Sequence, residues 1–170
     1  MDTVHYSVIG KGRYAMKPEF SPIGLIMCIL ILLPSMVFFS LFPPKGGMAT
    51  EPSVHAVFIY MERIGQMAIL LVLILFTKSN FSGRPIDVWA VLTVVCLLLY
   101  YIIWVRYIVN GQYAADLTNP FLIVPIPLAV FPVCALLFAA IWGHSLPLGL
   151  AAAVFAAGHL TVSWASAAGS

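Results

Sequence analysis

Charge is what this chain of 170 residues has least of. Only 8% of its residues are Asp, Glu, Lys or Arg and 62% are hydrophobic, against roughly a quarter charged in ordinary soluble domains. A soluble domain of this length keeps a large water-facing surface, and eight basic and six acidic side chains cannot cover one. Lipid must therefore solvate most of the molecule. The formal charge of +2 is scattered along the chain, which excludes the clustered basic face that nucleic acid requires. Cysteine is also scarce: Cys28, Cys96 and Cys134 each lie in an apolar run, with no C-x-x-C and no His at ligand spacing, so they read as small buried apolar residues. There is no H-E-x-x-H, no G-x-S-x-G and no glycine-rich phosphate loop. No catalytic residue, metal ligand or cofactor is assigned, and the short connections leave no room for a soluble catalytic domain.

What the chain does have is length in its apolar runs. A bilayer core of about 30 Å takes roughly twenty residues of helix, and stretches at 22–42, 55–77, 85–105, 120–142 and 147–168 qualify. Connections containing Pro, Gly or Asn separate them, and Pro85 and Pro147 suit a first helical turn. The fold expected is all-α: a polytopic bundle of five transmembrane helices. Residues 1–21 form a polar tail, and the first segment lacks a small-residue cleavage motif, so it reads as a retained anchor. Lys11, Arg13, Lys17, Lys78 and Arg84 flank the segments on one side against Lys45 and Arg106 on the other. Because basic loops stay cytoplasmic, the N-terminus is expected inside and the C-terminus outside. Trp89, Trp104, Tyr107, Trp142 and Trp164 fit an interfacial aromatic belt.

Some residues do not belong in hydrocarbon. Glu62, Arg63 and Gln66 interrupt the second segment, and at 100° per residue Glu62 and Gln66 share a stripe with Ile59 and His55, with Arg63 on its shoulder. Intramembrane ionisable groups are expensive unless they face the bundle interior. His159, in the fifth segment, lies on a face with Ala152, Ala156, Ser163 and Ser166, small enough for close helix approach. Gly149, Ala153 and Ala157 offer a second small-residue line, suited to a homo-oligomer or a membrane partner subunit and equally to packing within the monomer. In the fourth segment Asn119 and Pro120 suit a cap and first turn, but Pro125, Pro127 and Pro132 follow. Each interior proline strips a carbonyl of its helical donor, at Phe121, Ile123 and Leu128, and should kink or split the helix near 125–127. Arg106 is expected to snorkel at the interface.

Glu62, Arg63, Gln66 and His159 are thus expected to converge in the outer half of the bundle beside those carbonyls. Three readings stay open. The cluster binds or passes a small ligand, lipid or ion; or it is a packing lock in a structural subunit; or Glu62 or His159 transfers a proton.

The stretch Tyr60-Met61-Glu62-Arg63-Ile64-Gly65-Gln66, the proline-rich run Pro125-Ile126-Pro127-Leu128-Ala129-Val130-Phe131-Pro132 and Gly158-His159 resemble a group of small bacterial multi-pass membrane proteins with no assigned function. The resemblance implies a bacterial cytoplasmic membrane as the location and lends no activity.

Overall fold

The computed structural model describes residues 18–45 and 54–168. Lys11, Arg13 and Lys17, which carry part of the orientation argument, lie outside the described residues. In chain order the helices are α1 (Pro22–Leu41), α2 (Ala56–Phe76), the single turn α3 (Lys78–Phe81), α4 (Val88–Val109), the single turn α5 (Ala115–Thr118), α6 (Pro127–Trp142) and α7 (Leu146–Ala168). Among the described residues no strand forms. Four helices, α1, α2, α4 and α7, are long and apolar enough to cross a membrane, and α6 is a shorter apolar helix.

Local chemistry sets the ends. Ser21 caps α1 by accepting the Gly24 N–H at 3.1 Å, and Asp87 caps α4 by accepting from Trp89 and Ala90 at 3.0 Å. The helix expected over 85–105 therefore starts at Val88, after the cap, and runs to Val109. Pro85 stays outside it, and its carbonyl accepts the Trp142 indole N–H at 3.1 Å.

The larger correction concerns the segment expected as a helix over 120–142. Helix begins only at Pro127. Before it the chain folds back in a tight turn, with Phe121 and Val124 exchanging both backbone hydrogen bonds at 3.0 Å. Leu122 and Ile126 take left-handed φ values of 56° and 40°, conformations that cost non-glycine residues energy. Prolines at 125 and 127 disfavour helix at the residue before each, so the break expected near them occurs, but its N-terminal side is not helical at all. Asn119 and Pro120 cap nothing in α6. The interior Pro132 is accommodated within the helix.

The helices alternate in direction, and the most extensive contact is that of α2 with α7. Gly65 sits against the backbone of Phe155, where an added Cβ would lie 2.5 Å from its N, and Gly158 sits against α2, where a Cβ would lie 2.3 Å from the Glu62 N. The other small line, Gly149, Ala153 and Ala157, does not make this contact, since Ala153 and Ala157 are exposed. At the C-terminal end of α2, where it meets the start of α1, Ser21, Thr77 and the Leu73 carbonyl form a buried chain, with Thr77 Oγ1 3.0 Å from Ser21 Oγ and 2.6 Å from the carbonyl oxygen.

Aromatic side chains of α4 tie it to α1. Pro34 deprives the Leu30 carbonyl of its helical N–H, and the Tyr101 hydroxyl donates to that oxygen at 3.0 Å. Tyr100 donates to the Ile31 carbonyl at 3.1 Å and Tyr107 to the Phe42 carbonyl at 2.6 Å. Trp104 and Tyr107 are fully buried, so these two belong to the core and not to an interfacial belt.

Gly158→Ala should push α2 and α7 apart, because the new methyl meets the α2 backbone at Phe58 and Glu62. We expect a loss of about 1–3 kcal/mol in detergent unfolding. Gly149→Ala, whose Cβ would meet only the Ala140 Cβ at 3.7 Å, should be neutral or slightly stabilising. Equal effects of the two substitutions would refute the glycine contact.

Candidate functional site

The glycine contact delivers two ionisable side chains to one point. Gly158 lets α7 lie against the backbone of Glu62, and one residue later His159 turns its Nδ1 to Glu62 Oε1 at 2.7 Å. The side chains are about a quarter exposed, 25% for His159 and 23% for Glu62. The His159 ring stacks on Phe155, one turn earlier, with centroids 4.7 Å apart and planes 13° from parallel. A charge-assisted bond of this length is about twice as strong as a neutral one, and the flat aromatic face suits an imidazolium.

This pair opens onto a cavity of ≈ 570 Å³ between α1, α2, α4, α5, α6 and α7. It lies toward the end of the bundle where α1 and α4 finish and α2 and α6 begin. Its wall is mainly apolar, with Phe39, Trp104, Phe155 and Leu117 prominent, and polar atoms enter from Ser35, Gln66, Thr118, Ser163 and Ser166. Leu128 and Pro132 also line it, so the carbonyl that Pro132 leaves without a helical donor belongs to a residue of the wall. A mostly apolar cavity of several hundred Å³ with a few convergent polar groups is the usual form of a small-molecule site. Trp104 Nε1, in the same wall, is buried with no hydrogen-bond partner; the neighbouring Tyr100 hydroxyl interacts with it more loosely than a hydrogen bond, while bonding the Ile31 carbonyl.

Of the residues expected to converge, Glu62 and His159 meet and Gln66 lines the same cavity. Arg63 does not join them. It is exposed on the outside of α2, because 100° of helical rotation from Glu62 carries it off the α7 contact. Nor do Arg63, Gln66 or His159 serve the carbonyls of the proline-rich segment. Arg106 holds that region: its Nη2 donates to the Asp116 and Asn119 carbonyls at 2.8 and 3.1 Å and its Nη1 to the Pro120 carbonyl at 3.4 Å. Its guanidinium carbon lies 5.9 Å from the Phe121 ring centroid. The residue expected to snorkel instead pins the cavity's rim in place. Its position fourteen residues before a proline-broken segment was the available signal, since freed carbonyls in lipid need a donor. Among the described residues no group of three or more His, Cys, Asp or Glu is placed to hold a metal ion.

No family model, curated protein or solved structure matches the chain.

Arg106→Lys keeps the charge but loses the planar fork that reaches several carbonyls. Hydrogen exchange at the amides of 117–124 should speed up by about tenfold or more, the effect of roughly 1.4 kcal/mol of lost local stability, with the core of α4 unchanged. Unaltered exchange in that segment would show that Arg106 does not hold it.

Proposed function

We propose that the chain is a multi-pass protein of a bacterial cell membrane, with five helices across the bilayer and the N-terminus inside, that binds or passes a small ligand, lipid or ion through a cavity in its outer half. The observation that carries this reading is an intramembrane Glu62–His159 pair facing a largely apolar cavity of ≈ 570 Å³. Such groups mark ligand and ion pathways more often than they mark plain packing. Counting α6 as a fifth span rests on its company: at 1.5 Å per residue its 16 residues reach roughly 24 Å, and the 120–126 turn supplies the remaining height. In that turn Phe121 and Val124 satisfy each other's backbone groups and Ile126 is buried against the cavity, while Leu122 and Ile123 at its tip are exposed.

A packing lock is the second reading, because the same pair bridges the most extensive helix contact. A double-mutant cycle with Glu62→Gln and His159→Asn separates the two. A lock requires a coupling energy of about 1.5 kcal/mol or more in detergent unfolding, whereas a pair kept for a ligand, with glycine packing already holding the helices, should show less than about 0.5 kcal/mol.

The topology has its own measurement. An enzyme reporter active only in the cytoplasm, fused after Ser170, should give no signal, and one fused in the 82–86 connection should give a strong one. A bright fusion at Ser170 would sink the arrangement of five spans with the N-terminus inside.

A further inference from the structure

Among the described residues that line the cavity, Glu62 and His159 are the one acid and base in contact, and no Lys, Arg or Asp joins them. α2 brings Glu62, α7 brings His159, and α4 brings Tyr100, whose hydroxyl is bonded to the Ile31 carbonyl. α1, α5 and α6 bring no ionisable side chain to it. In a low-dielectric cavity net charge must be balanced nearby, so the state of this pair sets which charge a ligand can carry.

With His159 protonated, the pair is neutral: carboxylate and imidazolium lie 2.7 Å apart, the imidazolium flat on Phe155. When the imidazole loses its proton, Glu62 is left as one negative charge without a counterion. A cationic ligand beside Glu62 restores the balance. An anionic ligand would instead lie against the Glu62 carboxylate with no cation between them. The rest of the wall suits the same ligand, since Phe39, Trp104 and Phe155 line it together with aliphatic side chains that take an apolar body.

We propose that the cavity takes an ammonium compound with an apolar body, in exchange for the proton on His159. This rests on the cavity-binding reading above and adds the ligand's charge and its coupling. The exchange balances: one cation arrives at Glu62, one proton leaves His159 Nδ1 or Nε2 for solvent, and the site stays neutral. His159 proton and ligand cation exclude each other.

The test uses the purified full chain in lipid nanodiscs and two probes of one shape, benzyltrimethylammonium and neopentylbenzene, in which carbon replaces nitrogen. Calorimetry in buffers of differing ionisation enthalpy counts protons. Benzyltrimethylammonium, which has no proton of its own to give, should bind at least about tenfold more tightly than the neutral probe and release up to one proton. Its affinity should weaken as the pH is lowered, by up to about tenfold per pH unit, because protons compete with it for the site. E62Q should abolish the preference for the cation. H159N, which keeps a polar neighbour for Glu62 without a titrating proton, should bind the cation with no proton release and a flat profile near neutral pH. If both probes bind equally without proton release, the proposal is overturned while the cavity still binds ligands. If neither binds to a chain that unfolds cooperatively, the cavity reading falls with it.

Discussion

α2 and α7 approach as closely as they do because each presents a glycine where they cross. A methyl group at Gly65 or Gly158 would occupy space already taken by the partner's backbone. Without a hydrophobic drive between helices in lipid, such small-residue contacts let van der Waals packing hold a bundle together. The consequence for chemistry is positional. Backbone contact at Gly158 fixes the separation of Glu62 and His159 to hydrogen-bond length, and the register places Phe155, one turn back, under the imidazole. The ion pair is a product of that packing and does not have to generate it.

The second constraint is that every carbonyl inside the bilayer needs a donor, and the prolines create several vacancies. Those that find a donor do so by different means. At Pro34 the lost N–H is replaced by the Tyr101 hydroxyl from α4. Around 116–120 the carbonyls of a broken segment converge on one guanidinium, Arg106. At 121–124 the backbone turns on itself and satisfies its own groups. Leu128, whose carbonyl Pro132 leaves without a helical donor, is itself a residue of the cavity wall. Shortening α6 in this way leaves space between α1, α4 and α7 that a full-length helix would fill, so the same prolines that threaten the helix also make room for the cavity.

These origins explain which parts were legible in the sequence. The helices α1, α2 and α7 follow from apolar runs whose length the bilayer dictates, and their limits fall within a residue of those read from hydropathy. The inward turn of Glu62 and His159 was legible because helical periodicity combined with the cost of charge in lipid leaves few orientations. Arg63 was misplaced by the same periodicity applied too loosely, since a shoulder position 100° away has lipid or water as its neighbour and not α7. The role of Arg106 was hidden because it depends on where a non-helical segment folds back, which hydropathy does not encode. The packing face of α7 was ambiguous for a related reason: its contact with α2 runs through Phe155 and Gly158, which lie on neither of the two small-residue lines, and the matching Gly65 on α2 is what selects that face.

That ambiguity bears on what the ion pair is for. Replacing a buried ion pair by well-packed apolar residues is often neutral or stabilising, because desolvation offsets the attraction. A bundle already joined through Gly65 and Gly158 gains little from an added charge pair at the same crossing, and an apolar pair would pack there at no desolvation cost. Glu62 and His159 are neither sealed into that crossing nor turned to lipid: about a quarter of each side chain is exposed, and both line the cavity. Such placement keeps the pair's electrostatic cost while leaving one side of it open to a third charged group. Among the arrangements this bundle permits, a carboxylate and an imidazole facing an aromatic-walled cavity are better placed to exchange partners than to fasten two helices that are already in contact.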